Sequence, residues 1–178
     1  NKSAIYLSGA SATTETFYSV DFSKLVGNAD LKKISFIYVI VEGDNKTGTL
    51  EINDLKSSNT IPPDPTKHAS DINIPTEGLT IPGGVTVAPS GATATLTRTP
   101  RGISVAYSTN SGANAGWAGA GFSYSGATLG YQDLSSLTSL IFSLKSSEGI
   151  LKLELVDSLN NKSAIYLSGA SATTETFY

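Results

Sequence analysis

The sequence predicts an all-β protein, an antiparallel two-sheet sandwich of the jelly-roll type. Short apolar, β-branched and aromatic runs recur along the chain, separated by turns rich in Gly, Pro, Ser and Asn. Hydrophobic residues make up 39% of the 178 positions and charged ones only 15%. That balance is too apolar for a disordered chain and too poor in Lys, Glu and Arg for a helical one. Regular short strands broken by turn signals are the mark of sandwiches and jelly rolls.

In chain order, Ala4 to Ser8 is short and β-prone, and Gly9 ends it. Thr16 to Phe22 carries aromatic and β-branched residues and reads as a strand. Asp21 to Leu25 leads into a short helical turn capped by Ser23. Ile34 to Val41 is nearly continuous in apolar character, which predicts a strand buried on both faces. Glu42 to Gly48 is a polar, glycine-flanked hairpin loop, and Thr49 to Leu55 alternates as a strand with one wet face should. Val85 to Ala88, Thr93 to Arg98 and Gly102 to Ser108 are three further strands, followed by a glycine-rich strand over Gly116 to Tyr124. Asp133 to Leu137 reads as a capped turn of helix. Leu140 to Lys145 and Ile150 to Val156 are alternating strands, with Leu151, Leu153 and Leu155 on one face while Lys152 and Glu154 are expected to face solvent.

Asn1–Tyr18 recurs letter for letter as Asn161–Tyr178, a period of 160 residues. Identity over that length points to an internal repeat, which outranks other readings. It has three sources: an overlap left by cloning, duplication of a whole domain, or an array of near-identical units. The array is the preferred one, and the absence of an initiator Met fits an internal or processed piece. Gly149 to Asn161 runs into the second copy without a turn-rich break. Residues 1–55 are therefore expected to be the C-terminal part of one module and 84–178 the N-terminal part of the next. Between them lies a connecting stretch, 56–83, containing Pro62, Pro63, Pro65, Pro75 and Pro82. This stretch is expected to be a semi-rigid linker or an extended arm lying on a neighbour, and Ile72, Ile74, Leu79 and Ile81 are the residues that favour the arm. The two copies of the duplicated segment are expected to occupy equivalent β environments.

Gly116 to Phe122, Tyr131 to Leu140 and Leu151 to Asp157, with Ile34 to Leu55 as an ending, together resemble the galactose-binding-like jelly-roll carbohydrate-binding modules. The resemblance spans about 130 residues in array order. It implies a two-sheet sandwich, commonly extracellular, and does not by itself imply that sugar is bound.

Several function classes are disfavoured. Net charge is −3 with scattered basic residues, which leaves no footprint for nucleic acid. With no cysteine there is no thiol catalysis, disulfide or thiolate metal site. No apolar run approaches the roughly 20 residues of a membrane span, so membrane insertion is not expected. His68 is the only histidine and sits in the proline-rich stretch, so no enzyme is expected. No cofactor is expected apart from a structural calcium, for which Asp44, Asn45 and Asp54 are the candidate oxygen ligands. A sugar would need exposed aromatic faces. Tyr107, Tyr124 and Tyr131 are the candidates, whereas Trp117 and Tyr38 read as core.

Two functions follow as expectations. The first is a structural repeat of an extracellular filament or cell-surface array. Its partners are copies of itself, with successive units completed by strand complementation. The alternative is a carbohydrate-binding module repeated in a secreted enzyme or adhesin, with polysaccharide as partner.

Overall fold

A computed structural model describes residues 15–58, 85–88, 90–111, 116–124, 130–148, 150–168 and 176–177. Its strands are β1 (Thr16–Asp21), β2 (Val26–Gly27), β3 (Ile34–Glu42), β4 (Thr47–Ser58), β5 (Val85–Val87) and β6 (Thr93–Arg98). They continue with β7 (Gly102–Ser108), β8 (Trp117–Ser123), β9 (Ser139–Ser146), β10 (Ile150–Asp157), β11 (Lys162–Ser168) and β12 (Thr176–Phe177). Among the described residues these form two six-stranded sheets. The first has the order β12-β1-β9-β4-β7-β6 and the second β2-β11-β10-β3-β8-β5. Every pairing is antiparallel except that of β12 with β1. The expected all-β two-sheet sandwich is what forms. No helix among the described residues is long and apolar enough to cross a membrane.

Alternation builds the core. Ile37, Val39 and Val41 of β3, Leu151, Leu153 and Leu155 of β10, and Ala118, Ala120 and Phe122 of β8 face inward from the second sheet. They meet Leu50 and Ile52 of β4, Ile103 and Val105 of β7, Leu140, Phe142 and Leu144 of β9, and Tyr18 and Val20 of β1. Burial of two facing rows is the chief stabilising term in such a fold. Tyr18 stacks on Phe142, with ring centroids 5.7 Å apart.

Several local readings change. The 3-10 turn over Phe22–Lys24 is capped by Asp21, whose carboxylate accepts from the Ser23 N–H at 2.7 Å; Ser23 itself is not the cap. Asp133 to Leu137 is a turn rather than helix, because the Asp133 carboxylate takes the Ser135 N–H (2.8 Å) and closes the chain locally. The loop after β3 is not a hairpin: β3 lies in the second sheet and β4 in the first, so it is an arch between sheets. Lys56 to Ser58 still belong to β4. The rest of the proline-rich stretch, His68 included, and Ala4 to Ser8 lie outside the described residues.

Strands from 15–58 and from 85–168 interleave in both sheets. β9 stands between β1 and β4, and β3 between β10 and β8. The two portions that the sequence divided between successive modules thus meet in one sandwich here.

Candidate functional site

The tyrosines proposed for sugar stacking do not share a face. Tyr107 falls in step with Ile103 and Val105 on β7, and Tyr124 with Phe122 and Ala120 beyond β8, so both enter the core. Burial, with the Glu148 charge second, pushes the Tyr107 phenol up to about 12, and burial raises that of Tyr124 as well. Tyr131 is half-buried beside Gln132, which pairs with Ile34 at the start of β3.

The aromatic residues on the outer face of the second sheet are others. Phe36 and Tyr38 occupy the β3 positions opposite in parity to the core row and stack on each other at 5.3 Å. Trp117 is half-buried, lies outside the core cluster and pairs with Glu42 across β3 and β8. The sequence reading placed Tyr38 and Trp117 inside; strand parity places them outside. Gly121 and Gly119 lie beside Tyr38 and Ile40, and a Cβ at either would collide with a β3 carbonyl oxygen.

On the same face Glu154 is not in solvent as expected but only 3% exposed, covered by the two lysines from which it accepts, Lys162 (2.8 Å) and Lys152 (3.0 Å), while Lys152 also reaches Glu42 (3.2 Å). Burial alone would raise the Glu154 pKa; hydrogen bonds from Lys162 and Lys152 outweigh it and hold it low. Burial and the Glu154 charge push Tyr38 up to about 12.

The three candidate calcium ligands are not brought together. Asp44 and Asn45 sit in the arch, where Asn45 adopts a left-handed φ of 55°. Asp54 lies far along β4 at a bulge (φ 51°), roughly 20 Å from the arch at the rise of an extended strand. There it is already ion-paired to Arg101. Among the described residues no group of three or more acidic or histidine side chains is placed to hold a metal.

The duplicated segment occupies a more telling place. From the second copy, Lys162–Ser168 forms β11, paired with β10 along its whole length and with β2 through Ser163↔Gly27 and Ala164↔Val26. Asn28 N–H donates to the Lys162 carbonyl (3.1 Å) and Ala29 N–H to Ser163 Oγ (3.0 Å). Gly27, at φ 149°, permits this approach, since a Cβ there would strike the Lys162 carbonyl oxygen.

From the first copy come Glu15 and Thr16–Tyr18, the first half of β1, which lies beside β9 in the first sheet. Glu15 accepts from Ser143 Oγ (2.5 Å), Asn53 Nδ2 (3.3 Å) and Arg101 Nη1 (3.1 Å). Burial would raise its pKa, but the hydrogen bonds of Ser143, Arg101 and Asn53 lower it on balance. The sandwich thus takes β11 from the second copy and Glu15 with the first half of β1 from the first, and the end of the second copy joins the first sheet as well. Thr176 and Phe177, the counterparts of Thr16 and Phe17, lie parallel against β1. The two copies therefore do not stand in like surroundings at these positions, and Lys2–Ser8 lies outside the described residues.

A tight turn over Ser158–Asn160 delivers the chain from β10 to β11, although the sequence shows no turn-rich break there. The Asp157 carboxylate organises it, accepting from the N–H groups of Leu159 (2.8 Å) and Asn161 (2.9 Å) and from Asn161 Nδ2 (3.0 Å). It also takes the Asp30 N–H (3.0 Å), tying the hairpin to the loop before β3. The backbone hydrogen bond from Asp30, with those of Asn161 and Leu159, lowers its pKa to about 2. Compared with known proteins, the chain matches no family model, no curated protein and no solved structure.

Proposed function

We propose that the chain is a structural repeat module of an extracellular filament or surface-array protein. Successive sandwiches share the duplicated segment. Its first half closes the second sheet of one unit as β11, and its second half supplies β1 to the first sheet of the next. The repeating unit then runs from Thr16 to Ser168, and residues 169–175 are the joint. The observation that supports this is that one pair of sheets draws β11 from the second copy and the first half of β1 from the first. Complementation between units is thereby reduced to one shared segment. A joint of seven residues reaches at most about 23 Å, so neighbouring sandwiches stay close without a rigid dock.

The native chain has no cysteine, so disulfide trapping reads strand placement cleanly. Val26 and Ala164 face each other across β2 and β11, within reach of a disulfide. Val26→Cys with Ala164→Cys should cross-link inside the monomer. A chain prolonged by one further period should lengthen by one sandwich in small-angle scattering and keep the parent unfolding midpoint. Antibody to the chain should label intact source cells; label confined to the cytoplasm sinks the surface reading.

A second reading, the carbohydrate-binding module, draws on Phe36, Tyr38 and Trp117 beside the Lys152–Glu154 pair. Set along about 20 Å of β3 and β8, those are groups that successive sugars of an oligosaccharide would stack on and hydrogen-bond to. Affinity electrophoresis on soluble polysaccharides tests it. Retardation that disappears with Tyr38→Ala or Trp117→Ala supports this reading; no retardation with any polysaccharide favours the scaffold.

A further inference from the structure

We infer that the groove between β10 and β2 accepts either copy of the duplicated segment, so that Lys2–Ser8 of the same chain can replace Lys162–Ser168 there. The inference rests on the repeat reading above and names the second occupant of its central slot.

The groove recognises β11 through a small set of groups. Ser163 Oγ meets the Ala29 N–H, the Lys162 carbonyl meets the Asn28 N–H, Lys162 Nζ meets Glu154, and Ile165 enters the core. Lys2, Ser3 and Ile5 repeat these residues, and Asn1 repeats the Asn161 that binds Asp157. Side-chain chemistry gives the groove no means of telling the copies apart. Only the covalent connection differs.

Lys162–Ser168 enters from β10 through the three-residue turn and therefore holds the groove by proximity. The route for the other copy is also short. β1 in the first sheet and β2 in the second are joined by Phe22–Leu25 alone, so the flanks carrying β1 and β11 adjoin. The strand ends match as well. Ser168 stands opposite Ile150, Thr16 stands opposite Leu144, and the short Ser147–Gly149 stretch connects β9 to β10 at that end. A strand ending with Ser8 at the Ser168 position needs to reach Thr16 across two sheets about 10 Å apart. The intervening residues 9–15 span up to about 23 Å.

In an array every such segment then has two equivalent slots, one on the sandwich before it and one on the sandwich after it. A unit whose hairpin strand is pulled away is closed again by the segment that precedes it. That is a form of redundancy suited to a protein under tension.

The test uses the full chain. Ile165→Asp places a carboxylate where β11 meets the core, and Ile5→Asp does the same to the other copy. Ile165→Asp alone should keep cooperative unfolding at close to the parent midpoint. Ile5→Asp alone should change nothing. The double variant should lose at least about a hundredfold in its folded-to-unfolded ratio, as expected for an unpaired charge in a core. In the Ile165→Asp background, Ala4→Cys with Val26→Cys should cross-link within monomers. If Ile165→Asp is as damaged as the double variant, or if the Ala4–Val26 link forms only between molecules, the inference is overturned. Failure of the Val26–Ala164 link in the otherwise native chain would instead sink the repeat reading itself, so the two failures are told apart.

Discussion

Glu154 and Asp157 show how much rests on single carboxylates placed by strand parity. Glu154 is nearly inaccessible and serves two lysines, whereas Lys162 is 59% exposed. Removing the shared buried acceptor leaves Lys152, itself only 21% exposed, with Glu42 alone. Glu154→Ala should therefore lower stability by about 1–3 kcal/mol and Lys162→Ala by under about 1 kcal/mol, both measured by urea unfolding. Asp157 gives a pH dependence of defined sign. Its folded pKa is depressed from 3.8 to about 2, so its contribution is complete above about pH 4 and is lost as pH falls toward 2. Asp157→Asn should flatten that acid limb in urea midpoints taken from pH 5 to pH 2. An unchanged limb would mean that other carboxylates carry it. Neither role was readable beforehand, because sequence shows a turn-forming Asp but not the Asp30 N–H brought to it from another part of the chain.

The elements behave as their alternation requires, and alternation also assigns the aromatic side chains to their faces. Parity along Ile103-Ser104-Val105-Ala106-Tyr107 already assigns Tyr107 to the core, and parity along β8 separates Trp117 from Phe122. Tyr107→Ala should accordingly cost about 3–5 kcal/mol as a cavity in the core, and Tyr131→Ala well under half of that, by urea unfolding. The glycines of β8 carry a second expectation. Gly121 lies against the Ile37 carbonyl, so Gly121→Ala should force β3 and β8 apart and cost about 1–3 kcal/mol. Wild-type stability in that variant would mean that the strands can separate without loss. Which sheet each strand joins was a different matter. The arch after β3 carries hairpin-like residues, and only packing decides that the chain leaves the second sheet for the first.

For the molecule as a whole, strands of 15–58 and of 85–168 meet in the same two sheets, and under the proposed repeat the unit boundary would fall within the duplicated segment. A chain trimmed to residues 15–168 should keep the parent unfolding midpoint and its β-type circular dichroism. A chain trimmed further, to 22–161, lacks both β1 and β11 and should lose cooperative unfolding. The sequence by itself determined the sandwich class, the strands with clear alternation, the inward rows of Leu151 to Leu155 and the duplication, because each of these is written in local periodicity or in letter identity. The tertiary structure alone decided which sheet takes each strand, which tyrosines see solvent, and where Lys162–Ser168 and Thr16–Tyr18 pair. Those outcomes depend on strand partners distant in the chain. Where two segments have the same side chains, the only physical difference left between them is how each is tethered to its slot.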